Sequence, residues 1–155
     1  MARTPYDRAL DLLSQRPYTA RDMRRKLIQK EIPAEEADAV VARLTEAGLI
    51  DDAKYALSFA RSKLLGSGAS RRRIRDDLAR KGVKGDIASE AVEQVIVDEE
   101  IDTKAVIERA ARKKIASMGD LEPLVLRRRL FAFLARRGYD PDEIIEVTRK
   151  IFAGG

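Results

Sequence analysis

Apolar positions along this chain recur every three or four residues, in runs closed by glycine or proline. That period belongs to a helix with one buried face, and the strict alternation of a half-buried strand is scarce. Pro5 opens a first helix that carries Leu10, Leu12 and Leu13 and stops before Pro17. Thr19 suits the N-cap of a second, with Met23 and Leu27 on its buried face. Pro33 fits the first position of a third, in which Ala37, Val40, Val41 and Leu44 form one stripe and Gly48 ends the helix. A fourth starts at Asp51 or Asp52, sets Tyr55 and Phe59 on one face and ends near Gly66, where GSGA reads as a flexible joint. Ser70 caps a fifth with Ile74 and Leu78 buried, and Gly82 stops it. A sixth carries Ile87, Ala91, Val92 and Val95. A seventh carries Ile107, Ala111, Ile115 and Met118, and closes at Gly119. The eighth runs from Leu121 to Arg137 around Leu126, Leu130 and Leu134, with Gly138 beyond it. The ninth begins at Asp140–Pro141 and carries Ile144, Val147 and Ile151.

These helices fall into three similar sets. KLIQKEIPAEEADAVVARL (26–44) aligns with DLARKGVKGDIASEAVEQV (77–95) and with FLARRGYDPDEIIEVTRKI (133–151). Leu27, Leu78 and Leu134 correspond, as do Lys30, Lys81 and Arg137, then Ile32, Val83 and Tyr139, then Leu44, Val95 and Ile151. Thr19 and Ser70 also align, each the same distance ahead of its leucine. Amphipathic helices resemble one another by chance, but the shared step of cation, turn and hydrophobe after each leucine argues against coincidence. The expected fold is all-α: three tandem three-helix repeats over 5–50, 51–98 and 101–152, with 153–155 as a frayed tail. A unit of that size is marginal alone. Stacked neighbours are expected to share one continuous core in an elongated, curved, solenoid-like body.

Composition narrows the chemistry. The 155 residues include no cysteine and no histidine, which removes disulfides, the commonest transition-metal ligands, the thiol nucleophile and the usual general base. Aromatics are 5% against 37% charged residues, as expected of helices packed with aliphatic side chains. No signal-like or membrane-length apolar segment occurs, so a soluble, cytoplasmic protein without a membrane partner is expected. GSGA is a poor dinucleotide loop, because no strand precedes it and Arg71 falls where a third glycine should be. The acidic run Asp98, Glu99, Glu100 and Asp102 is better explained by helix ends and a solvated linker than by a cation. No cofactor, metal or catalytic group is indicated, and the chain is expected not to be an enzyme.

Net charge is +5, a modest excess whose placement matters more than its size. The second helix of unit one (19–31) carries +3, its counterpart at 70–81 carries +4, and 121–137 carries +4. The third helix of each unit is acidic, at −3, −5 and −2 over 33–47, 84–100 and 140–152. Three basic middle helices suggest a basic ridge along one side of the stack. Charge on a helix is usually solvated and self-paired, and Arg72–Asp76, Asp76–Arg80, Arg73–Asp77 and Asp22–Lys26 all have the spacing of an internal pair. Arg71 and Arg75 lack an acid at that spacing within their helix, and so do Arg127, Arg128 and Arg129, which fan through about 200°. The candidate binding residues are therefore Arg21, Arg24, Arg25 and Lys26 in unit one, Arg71, Arg72, Arg73, Arg75 and Lys81 in unit two, and Arg127, Arg128 and Arg129 in unit three. Of these, Arg71, Arg75 and Arg127–Arg129 are the most free to meet a partner. Arg109, Arg112, Lys113 and Lys114 form a further cluster on the seventh helix, some of which could simply flank its apolar face.

Four segments resemble the RecX family, regulators of the RecA recombinase: ALDLLSQRPYTARDMRRKL (9–27), GLIDDAKYALSFARSKL (48–64), RRRIRDDLARKGV (71–83) and LFAFLARRGYDPDEIIEV (130–147). Many members have Glu-His/Tyr-Ser where this chain has Pro17-Tyr18-Thr19, and a proline where it has Ala69-Ser70, changes that leave the helix caps intact. The resemblance implies three tandem three-helix repeats in a curved body. It also implies a monomer that lodges in the helical groove of the RecA–DNA filament and inhibits its ATPase and strand exchange, with RecA and single- or double-stranded DNA as partners. The rival reading is a DNA-binding protein, sequence-independent or repressor-like, that acts without a recombinase. No helix carries the Asn, Gln and Ser mix that base reading favours.

Overall fold

A computed structural model describes residues 3–153. Among them are nine α-helices and no strand: α1 (Pro5–Gln15), α2 (Ala20–Gln29), α3 (Ala34–Glu46), α4 (Asp52–Ser62), α5 (Arg71–Arg80), α6 (Gly85–Asp98), α7 (Thr103–Met118), α8 (Pro123–Arg136) and α9 (Pro141–Ala153). A five-residue π-helical turn, Lys63–Ser67, follows α4 and ends at Gly68 in the left-handed region. The tail beyond Ala153, expected to fray, lies outside the described residues. Pro33 is the N-cap of α3 rather than its first residue, and α8 starts two residues later than expected, with Pro123 leading.

Side-chain caps set the starts of most helices. The hydroxyls of Thr4, Thr19 and Ser70 accept from the backbone N–H groups of Asp7, Asp22 and Arg73, and the carboxylates of Asp51 and Asp102 accept from those of Lys54 and Ala105. Each satisfies a donor that the helix itself leaves unpaired. The shared step after the middle helices is a C-terminal cap. The N–H groups of Ile32, Val83 and Tyr139 donate to the carbonyls of Leu27, Leu78 and Leu134, and the residue before each hydrophobe takes positive φ. That residue is Glu31 in unit one but Gly82 and Gly138 in the other two. The hydrophobe then folds back and is buried, at 6%, 4% and 7% exposure.

The three units are α1–α3, α4–α6 and α7–α9, and each has its own core. Met23, Leu27, Val40 and Leu44 lie in the first, Ile74, Leu78, Val92 and Val95 in the second, and Ile107, Leu130, Leu134 and Ile144 in the third. The expectation of one continuous core is therefore corrected. Each amphipathic helix turns its single apolar face inward to its own unit, so little apolar surface remains for a shared core.

Hydrogen bonds between helix ends join the units instead. The Thr19 hydroxyl that caps α2 also donates to the Lys81 carbonyl at the end of α5, at 2.6 Å. The Ser70 hydroxyl that caps α5 donates to the Arg137 carbonyl at the end of α8, at 2.7 Å. Thr19 is fully buried and Ser70 is 5% exposed. The glycine beside each accepting carbonyl allows this approach: a Cβ on Gly82 would lie 2.5 Å from Arg21 side-chain carbons, and one on Gly138 would lie 2.6 Å from Ser70 Oγ. The Ala20 N–H also reaches Asp52 at 3.0 Å, and the Tyr139 hydroxyl reaches the Gly68 carbonyl at 2.5 Å. The same joint is thus built twice. At the far end, Leu126 occupies the place of Thr19 and Ser70 in the repeat, inside α8, which begins at Pro123 and has no side-chain cap.

Candidate functional site

The joints chain the middle helices α2, α5 and α8, the N-terminus of one against the C-terminus of the next. Their cations fall into two groups, those neutralised by neighbours and those left open.

Arg71 is neutralised. Its Nε donates to Glu93 on α6 at 2.7 Å, and its Nη1 lies 3.9 Å from Glu143 on α9 of the next unit. The expectation that Arg71 is among the arginines freest to meet a partner is corrected: its acids come from other helices. Burial raises the Glu143 carboxyl above its ordinary value, and the Arg71 charge opposes that rise. In unit one, Arg24 Nε bonds Asp38 on α3 at 2.6 Å, and Arg21 spans the joint with Nη1 3.5 Å from the Ala79 carbonyl. Asp22 pairs with Arg25 at 3.7 Å rather than with Lys26.

On α5 the expected Arg72–Asp76 pair forms at 3.9 Å. Asp77 pairs with Arg80, so neither the Arg73–Asp77 nor the Asp76–Arg80 pair is made. Arg73 is exposed and Arg75 half-buried, and no ion pair holds either among the described residues. Lys81 rests its ammonium 5.7 Å from the Phe59 ring. On α8, Arg127 stacks 4.6 Å over Phe152, whereas Arg128 and Arg129 are exposed and unpaired among the described residues. Arg21, Lys81 and Arg127 thus meet a carbonyl or a ring but no carboxylate; Lys26, Arg73, Arg75, Arg128 and Arg129 are the candidate cations held by no acid, carbonyl or ring among the described residues, and Arg72 and Arg25 have only weak pairing that salt or a partner could displace.

On α7, Arg112 bonds Glu108 at 3.0 Å, and Lys150 on α9 bonds the same carboxylate at 3.0 Å. Those two bonds hold the Glu108 carboxyl below its ordinary value. Three acids of the run have partners: Asp98 accepts from Gln94, Glu99 pairs with Arg61 on α4 at 3.0 Å, and Asp102 caps α7. No group of three or more potential metal ligands occurs among the described residues, and no helix there is long and apolar enough to cross a membrane.

Sequence reasoning missed the joints. Their signal lies in the aligned hydroxyls Thr19 and Ser70 and in the glycines Gly82 and Gly138, which local spacing reads only as helix starts and stops.

The descriptions "RecX, first three-helix domain", "RecX, second three-helix domain" and "RecX, third three-helix domain" belong to the family models that match residues 6–44, 51–92 and 102–148. A regulatory protein RecX of Stenotrophomonas maltophilia is 35% identical over 146 residues, covering 94% of this chain and 86% of its own. Another, of Pelodictyon phaeoclathratiforme, is 32% identical over 147 residues, covering 95% and 88%. The crystal structure of RecX from Lactobacillus salivarius superposes with a TM-score of 0.83 over 96% of this chain and 95% of that one, at 21% identity, a likeness of fold. With three successive three-helix domains matched in order and relatives matched along nearly their whole length, the chain belongs to the RecX family of regulatory proteins.

Proposed function

We propose that this protein is a non-enzymatic regulator of homologous recombination and DNA repair. It binds the RecA–DNA filament in its helical groove, spans neighbouring subunits and inhibits ATPase and strand exchange. The observation that carries this reading is the chaining of three basic middle helices through two equivalent joints, with uncompensated cations at Lys26, Arg73, Arg75, Arg128 and Arg129. A filament offers the same surface at regular intervals, and a tandem array offers the same helix at each interval. The cations then form a ridge against DNA phosphate or acidic protein surface, where complementarity speeds encounter and sets orientation.

The test replaces Arg128 and Arg129 with glutamate, which spares the Arg127–Phe152 contact. Helicity should be retained by circular dichroism, and inhibition of DNA-dependent ATPase should weaken at least tenfold. Undiminished inhibition removes the ridge from the mechanism. The unpaired cations also suit binding to DNA without a recombinase. A gel shift with the protein alone, beside a pull-down on assembled filament, separates the two: retention on the filament together with weak, salt-sensitive binding to bare DNA supports the regulator.

A further inference from the structure

Unit three departs from the other two on one face. In the repeat, Phe131 and Ile145 take the places of Arg24 and Asp38 in unit one, an ion pair at 2.6 Å, and of Arg75 and Ser89 in unit two. The polar pair thus gives way to two apolar side chains, and Leu124 and Phe152 join them along a groove of about 550 Å³ between α8 and α9. Leu124, Phe131 and Ile145 are 63%, 39% and 46% exposed. On α8 the apolar ends of the groove, Leu124 and Phe131, stand seven positions apart, as do Ile145 and Phe152 on α9. Each pair marks a stripe of about two turns with an arginine in its middle. An exposed apolar patch rimmed by charge is the mark of a contact surface.

The rim carries one sign. Arg127, Arg128 and Arg149 line the groove, and no carboxylate does. Glu146, three residues before Arg149, is taken by Lys104 at 2.8 Å. Arg127 lies 4.6 Å over Phe152, which keeps its charge at the edge of the apolar floor. Unit two shows what such a face meets. Arg127 and Arg128 correspond there to Arg71 and Arg72, which border Asp140 and Glu143 at the start of α9, with Arg71 Nη1 3.9 Å from Glu143. The occupant of that face is thus the acidic start of a helix. On unit three no element of the described chain takes that place, and the face is more apolar.

We infer that the α8–α9 groove docks an acidic amphipathic helix of a partner protein. Apolar side chains of that helix, at i, i+3 or i+4, and i+7, fill the groove over about two turns, and carboxylates beside them meet Arg127, Arg128 and Arg149. Phe131 and Ile145 form the floor, and a desolvated aromatic flanked by arginine is the usual anchor of such a contact. The site goes beyond the regulator reading, because it takes a free helix in the absence of filament and DNA.

The experiment titrates the purified full chain into a fluorescein-labelled peptide of about 14 residues, with leucines at that spacing and glutamates beside them. Salt is held at about 150 mM, where exposed charges act over only about 8 Å. One control peptide has alanine for every leucine and another has lysine for every glutamate, and each should bind at least about tenfold more weakly. Phe131→Arg/Ile145→Asp writes the ion pair of unit one into unit three, so the repeat can carry it, and affinity should fall at least about tenfold. Leu124→Gln, at an exposed position, gives a smaller loss in the same direction and keeps the test decisive if the double variant does not fold. Arg128 borders both the groove and the ridge and is left unchanged. The ridge variant Lys26→Glu/Arg73→Glu should bind the peptide within about twofold of wild type. No binding of the acidic peptide at about 100 μM protein, equal affinity for the leucine and alanine peptides, wild-type affinity in the groove variants, or an equal loss in the ridge variant overturns the site. Equal binding of the lysine peptide overturns the acidic partner. A dimer in sedimentation equilibrium that Phe131→Arg/Ile145→Asp dissociates assigns the groove to a second copy of the chain and overturns the partner.

Discussion

Replacing Gly138 with alanine places a methyl group 2.6 Å from the Ser70 hydroxyl. That hydroxyl donates to the Arg137 carbonyl at 2.7 Å, accepts from the Arg73 N–H at 3.1 Å, and is almost wholly shielded from water. It cannot turn to solvent, so the joint must open or its two bonds must be lost. The cost has two parts. Gly138 has φ of +94°, where a Cβ is unfavourable by about 1–2 kcal/mol. Losing the cap and leaving buried polar groups short of partners adds about 1–3 kcal/mol. Gly48→Ala isolates the first part, because Gly48 has φ of +74° and a Cβ there meets nothing within 4 Å. Urea unfolding followed by circular dichroism should therefore show Gly138→Ala to be less stable than Gly48→Ala by about 1–3 kcal/mol. Equal losses in the two variants would refute the account of the joint.

Glu31→Gly should stabilise the chain by about 1 kcal/mol, seen as a higher urea midpoint, because Glu31 holds φ of +66° and no other unit docks there. Thr19→Val should cost about 1–2 kcal/mol by the same measurement, since one hydroxyl both caps α2 and supplies Lys81 with a donor. Leu78→Ala should cost about 2–5 kcal/mol, and limited proteolysis should cut first within 51–98, because that core is separate from its neighbours. Glu108 has a lowered carboxyl pKa in the fold, so its contribution is present above the ordinary 4.5 and is lost as pH falls through the depressed value. The difference in melting temperature between wild type and Glu108→Gln should be largest above the ordinary 4.5 and shrink as pH falls through the depressed value; a constant difference would sever Glu108 from the tie between α7 and α9.

Local signals were legible in the sequence to the extent that their physics is local. Thr19, Asp51 and Ser70 act within one turn of their own helices, and the step after Leu27, Leu78 and Leu134 is a cap written in five or six residues. The unpaired state of Arg128 and Arg129 also followed from spacing along α8. What spacing could not give was pairing between helices. Arg71 lacks an acid on α5 and finds Glu93 on α6 and Glu143 on α9. Arg24 finds Asp38, and Arg127 finds Phe152. Even within one helix, i,i+4 spacing matched Arg80 with Asp76 and Asp77 with Arg73, whereas Arg80 pairs with Asp77 one turn away. The separate cores were hidden for a related reason: periodicity shows that a face is buried and is silent on which neighbour buries it.

A joint that sets one end of a unit against the opposite end of the next is a head-to-tail contact, and head-to-tail contacts have no intrinsic stopping point. Copies of this chain could in principle stack end on end into fibres by the same bond. Both outer ends are spoiled for it. At α2 the accepting notch bears the Glu31 side chain where Gly82 and Gly138 leave room, and at α8 the place of the donating hydroxyl is taken by Leu126, one turn inside a helix that runs on past it. The two residues that break the repeat leave neither outer end with the parts of that bond.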